Sequence, residues 1–215
     1  MTRRLVEVQL SQGRVLAGDK VVLGFFSDGE PEYHRLGAEG ARAAQALAQL
    51  LRFRGEEDRT AETPIGARGR TLTLVGLGKR AGFTTEKARA FVDRALDSAR
   101  SSAAASLGLV VPEHAAFSGE AAAERIFRQL ALAEYLFDSY LPRRPGARLK
   151  SATVAVPAAW RRVYDSGGAL GAAIAVLIPV RIVVLEFGLL HGLAVIGALA
   201  AVYTVYRLSQ TGGLA

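Results

Sequence analysis

Between Phe187 and Tyr206 the chain runs for twenty residues without a formal charge, FGLLHGLAVIGALAAVYTVY. A helix of that length, rising about 1.5 Å per residue, spans about 30 Å, the thickness of a bilayer's hydrocarbon core. A second apolar stretch, Gly167–Val180, precedes it and is separated from it by Pro179, Arg181 and Glu186. A soluble domain of about 160 residues has little room to enclose both. The reading is therefore an α/β domain over residues 1–157, a basic and apolar membrane-approach segment over 158–181, a transmembrane helix over 182–207 and a short tail over 208–215. A helical hairpin is the competing form of the same tail.

Charge sets the orientation. The net charge is +7, and from Pro142 to Arg162 there are six basic residues and no acidic ones. Basic flanks stay on the cytoplasmic side and attract anionic lipid headgroups. The N-terminal domain is thus expected on the cytoplasmic face of the cell's inner membrane, anchored by a single pass. Arg161, Arg162, Arg181 and Arg207, with Tyr203 and Tyr206, are the expected membrane-interface residues. Gly188, Gly192, Gly197 and Ala201 give the helix a small-residue face on which another helix could pack. His191 lies inside the apolar run, where an ionisable group faces protein or a cofactor, so it is the one residue that could ligate a pigment or haem iron. No other cofactor is expected.

Ahead of the tail the pattern is α/β. Leu5–Leu10 alternates, and Lys20–Phe26 is a continuous apolar run, as in a buried strand. Leu36–Leu51 reads as a helix, residues 52–70 as loop or hairpin, and Arg70–Gly76 as a strand. Thr84 or Thr85 caps a helix to about Ala103. Leu107–Val111 is a strand, Ser118 caps a helix from Gly119 to about Tyr140, and Ala152–Val156 is the last strand. Strands alternating with helices predict a mixed sheet flanked by helices.

Candidate sites are few. There is no cysteine, so disulfides and Cys-ligated metals are excluded. His34, His114 and His191 do not pair at metal-ligand spacing. Gly76-Leu77-Gly78-Lys79 follows a strand but lacks the full spacing of a phosphate loop, so a tight turn is expected. Asp28, Glu30 and Glu32 read as a solvated acidic loop rather than a cation site.

Five segments together resemble the N-terminal domain of the leucyl (cytosol) aminopeptidase family: Val21–Asp28, Thr73–Arg80 with its GLGKR, Phe83–Arg89, Ala133–Tyr140 with its Tyr-x-Phe-Asp-x-Tyr end, and Leu149–Val156. The resemblance implies an α/β sandwich with a mixed sheet, distinct from the family's larger two-metal catalytic domain. That domain's Asn-Thr-Asp-Ala-Glu-Gly-Arg signature appears nowhere in this sequence, so no catalytic residue carries over. The expectation is a pseudoenzyme: a non-catalytic, membrane-anchored accessory subunit docked on integral membrane partners, with respiratory or photosynthetic assemblies as candidate hosts. The competing reading is a tethered module for nucleic acid or peptide. Nucleic acid is the less expected partner, because the basic residues cluster near the membrane. A residual peptidase ranks last.

Overall fold

The computed structural model describes residues 6–11, 18–66, 69–133, 149–169 and 171. Six strands form one sheet: β1 (Glu7–Leu10), β2 (Lys20–Phe25), β3 (Thr60–Ile65), β4 (Arg70–Gly76), β5 (Ser106–Val110) and β6 (Ser151–Ala155). Their spatial order is β1-β6-β5-β2-β4-β3. All neighbours pair in parallel except β3, which runs antiparallel to β4 at one edge. The sheet is therefore mixed, as the alternation of elements predicts.

Burial follows position in the sheet. β2 lies between β5 and β4 and is buried at every residue, which is why its sequence is an unbroken apolar run after Lys20. Edge strand β1 alternates exposed and half-buried residues. β3 occupies the second half of the region read as loop or hairpin. Its sequence, TAETPI, is poor in strand formers, and Pro64 fits because an edge strand leaves one row of amides unpaired.

Helix α1 (Gly37–Leu50) covers one face, burying Ala44 and Leu47 against Val21, Leu23, Phe25, Leu72 and Leu74. Helices α2 (Thr85–Ser101) and α3 (Glu120–Ala131) cover the other, over Val22, Val75, Leu107, Leu109 and Val154. Gly24 makes room for α2: a Cβ there would stand 2.7 Å from the Phe91 ring. Thr84 is the N-cap of α2 and accepts from the Lys87 amide, as predicted. Ser118 does not cap α3. Its hydroxyl donates backward to the Ala115 carbonyl at 2.8 Å, and Gly119 at φ +89° is the N-cap, without a side-chain bond. α3 ends at Ala131 with Leu132 as its C-cap and a turn through Ala133, short of the expected continuation to Tyr140; residues 134–140 lie outside the described residues.

A fourth helix, α4 (residues 161–169), lies within the segment read as an approach to a membrane. It packs on the domain. Tyr164 is fully buried, and its hydroxyl donates to the Phe117 carbonyl at 2.6 Å. A Cβ on Gly167 would stand 2.6 Å from the Glu120 carbonyl, and one on Gly168 2.7 Å from the Phe127 ring. Gly171, which follows, meets the Glu124 carbonyl. Advancing from 167 to 171 thus advances from 120 to 124 on α3, so α4 runs parallel to α3 at glycine-contact distance. Packing carries the domain past 157, at least to Gly171.

Candidate functional site

The chain leaves β2 for β4 by way of α1 and β3, and leaves β4 for β5 by way of α2 on the opposite face. Connections of opposite sense diverge from β2, so the crevice outside the carboxyl ends of β2 and β5 is the switch point of the fold, where ligands bind in open α/β sheets. Polar side chains converge there. Arg35 Nη1 donates to Glu32 at 2.5 Å and to the Val111 carbonyl at 2.6 Å. Glu32 also accepts from the Glu113 amide at 2.9 Å. The residues after β2 and those after β5 are thereby stitched together, and Arg35 Nη2 is buried beside them without a hydrogen bond.

A second knot adjoins it. Both Asp28 carboxylate oxygens accept from the Arg80 amide, at 3.0 and 3.1 Å. The Arg80 guanidinium donates to the Glu113 carbonyl at 2.8 Å and lies over the Phe26 ring. His114 Nδ1 accepts from the Ala116 amide at 3.1 Å, so Nε2 carries the proton toward the Arg80 carbonyl at 3.2 Å. Its ring packs against Phe26 and Phe83. Asp28 and Glu30 are exposed, as expected of a solvated loop, while Asp28 and the half-buried Glu32 also fix loops to one another.

A cavity of about 810 Å³ opens beside Arg35, bounded by Ser11, Glu32, His34, Glu113 and Pro157. His34 is exposed at its wall. No group of three or more acidic or histidine side chains could hold a metal among the described residues. The arrangement can clamp backbone. It presents no nucleophile paired with a base.

The Gly76-Leu77-Gly78 turn cannot cradle phosphate, because its amides are already used. Gly76 donates to the Arg59 carbonyl, Leu77 to Phe25 and Gly78 to Gly55, at 2.8, 3.1 and 2.9 Å. The tight-turn reading holds, and a Cβ on Gly76 would overlap the Glu56 carbonyl oxygen.

Of the residues singled out in the tail, Arg161 and Arg162 are exposed on α4. Arg181, Gly188, His191, Gly192, Gly197, Ala201, Tyr203, Tyr206 and Arg207 lie outside the described residues, as do Arg143, Arg144 and Arg148. No helix among the described residues is long and apolar enough to cross a membrane. The sequence reading missed the Glu32–Arg35 clamp and the docking of α4. Only the second left a signal, the Gly167-Gly168-x-x-Gly171 spacing behind Tyr164.

Comparison with known proteins places this geometry. The family description "Cytosol aminopeptidase family, N-terminal domain" matches residues 22–143. Among solved structures, a tomato leucine aminopeptidase mutant superposes with TM-score 0.58 at 16% identity, covering 81% of this chain and 38% of that one. Two structures of the bottromycin maturation enzyme BotP, one in complex with Mn, give TM-scores of 0.44 and 0.45 at 22% identity. Each covers 74% of this chain, which spans 30% and 31% of theirs. No curated protein matches the chain. The tomato likeness is one of fold, and this chain spans well under half of that enzyme's length.

Proposed function

This chain belongs to the cytosol aminopeptidase family through its N-terminal domain, and on that premise we propose that it is a non-catalytic, membrane-anchored accessory subunit. Its α/β domain sits on the cytoplasmic face of a larger integral membrane complex. The observation that carries this reading is the charge-free run Phe187–Tyr206, long enough to span a bilayer and flanked on its N-terminal side by basic residues. The helix packs on partner helices through Gly188, Gly192, Gly197 and Ala201, and His191 faces protein or a bound pigment or haem within that contact. In support, Asp28, Glu32, Arg35 and Arg80 at the switch point hold loops to one another.

The test is purification of the tagged full chain from its native membranes in mild detergent, with mass spectrometry of what accompanies it. Stoichiometric recovery with a defined set of integral membrane proteins is the expected result. Recovery as a lone monomer or homodimer overturns the subunit reading and leaves nucleic-acid and peptide binding to be assayed. Metal-dependent hydrolysis of a leucyl amide by the pure protein overturns the non-catalytic reading.

A further inference from the structure

We infer that the outward face of α1 is a contact surface for a second copy of this chain, the two α1 helices packing antiparallel about a two-fold axis at Ala46. The pairing needs no membrane, and a complex that contains this chain would hold it twice.

The face is sparsely charged for a helix in water. α1 carries Glu39 and Arg42 as its charged side chains in fourteen residues. α2 carries seven in seventeen, as a solvated helix does. Opposite the buried Gly40, Ala44 and Leu47, α1 exposes Arg42, Ala46, Gln49 and Leu50 along one line at helical spacing. Leu50 is 80% exposed and Leu51 42%, and these two are the exposed large hydrophobics of the described residues. Adjacent exposed leucines on a sparsely charged face form an apolar patch of the kind that marks a contact site.

Charge selects the occupant. Glu39 is exposed in the first turn of α1, and Arg52 and Arg54 are exposed just past its end. One end of the face is acidic and the other basic, so it complements itself only when turned end for end. A two-fold axis at Ala46 does this, as an isologous dimer requires. Glu39 of each copy then approaches Arg52 and Arg54 of the other, and the helix dipoles oppose. Leu50 lies against Ala43 of the second copy, and the small side chain at Ala46 lets the backbones approach. A parallel pairing sets Glu39 against Glu39, and an anionic partner would leave Glu39 facing its own charge. α1 is about 21 Å long, too short to bury by itself the roughly 800 Å² per partner of a standard interface, so the pairing is transient.

The chain has no cysteine, so one introduced thiol reads the contact. A disulfide forms where two Cα atoms come within about 7 Å, which the axis places at Ala46. In the full chain in mild detergent, oxidised with copper–phenanthroline, Ala46→Cys should give at least fivefold more disulfide-linked dimer than Glu30→Cys. Both positions are exposed, and Glu30 lies outside α1. Leu50→Glu should bring the Ala46→Cys yield down to that of Glu30→Cys. Glu39→Arg should lower it as well, and adding Arg52→Glu and Arg54→Glu should restore it. Equal yields at positions 46 and 30 overturn the pairing, as does a high yield at 46 that Leu50→Glu leaves unchanged. A yield indifferent to Glu39→Arg, or one that the charge-reversed triple variant fails to restore, overturns the antiparallel arrangement.

Discussion

The Tyr164 hydroxyl donates to the Phe117 carbonyl at 2.6 Å, and both side chains are fully buried. This bond ties α4 to the turn that leads into α3. Burial pushes the Tyr164 phenol well above its ordinary value, and the charges of Arg35 and Arg125 act in the opposite direction without offsetting it. A raised folded-state pKa means that stability is fully present below the unfolded value near 10 and is lost as pH rises beyond it. Tyr164→Phe leaves the Phe117 carbonyl buried and unpaired, so it should cost about 1–3 kcal/mol at pH 7. It should also flatten the loss of stability above about pH 10. The half-buried Tyr33, shifted in the same direction, keeps part of that alkaline limb. Chemical denaturation of both proteins in mild detergent across pH 7–11 is the measurement, and equal alkaline slopes would contradict the assignment.

Glycine contact holds α4 in place. A Cβ on Gly167 meets the Glu120 carbonyl oxygen at 2.6 Å and the Ala123 methyl at 2.8 Å, and backbone cannot swing aside as a side chain can. Gly167→Ala should therefore destabilise the docked helix by about 1–3 kcal/mol, even though alanine is the better helix former. Gly82→Ala meets nothing within 4 Å and serves as the control. Hydrogen exchange at residues 161–169 reads the effect. Unchanged protection in Gly167→Ala would refute the close packing.

The contrast between these glycines shows what the sequence could disclose. The unbroken run of β2 and the Thr84 cap of α2 are local signals, and both elements form where read. β3 was half-hidden because TAETPI contains a proline and a glutamate, and its strand character comes from pairing with β4. The Ser118 cap failed because Gly119 takes φ +89° and turns the hydroxyl away from the helix. α4 falls in the basic and apolar stretch read as a membrane approach, because composition does not say what a helix will pack against. The same holds for Asp28 and Glu32, whose partners Arg80 and Glu113 lie 52 and 81 residues away.

At Gly76 the contact is tighter than any on α4, since a Cβ would overlap the Glu56 carbonyl oxygen. The 55–57 segment crosses there because Gly78 donates to the Gly55 carbonyl and Ser27 donates to Gly78. Gly76→Ala must push that segment away and break these bonds, at a cost expected above 3 kcal/mol. Lys79→Ala, in the same turn, should change stability by less than about 0.5 kcal/mol. If the two variants unfold alike, the turn is not held as described.

Lys20 and Glu62 form an unequal pair. The Lys20 ammonium is fully buried at the start of β2, 2.6 Å from a Glu62 carboxylate whose side chain is 48% exposed. Thr73 bridges Glu62 and Ser98 in the same polar pocket beneath α2. Removing the glutamate strands a buried charge, whereas removing the lysine leaves a carboxylate that water can reach. Glu62→Gln should therefore cost about 2–3 kcal/mol, and Lys20→Met should be close to neutral or stabilising. The double variant should resemble Lys20→Met alone, because the cost of Glu62→Gln exists only while the ammonium is present. Urea midpoints for the four proteins close the cycle. A Lys20→Met loss equal to that of Glu62→Gln would mean that the pair contributes net attraction to the fold, contrary to this account.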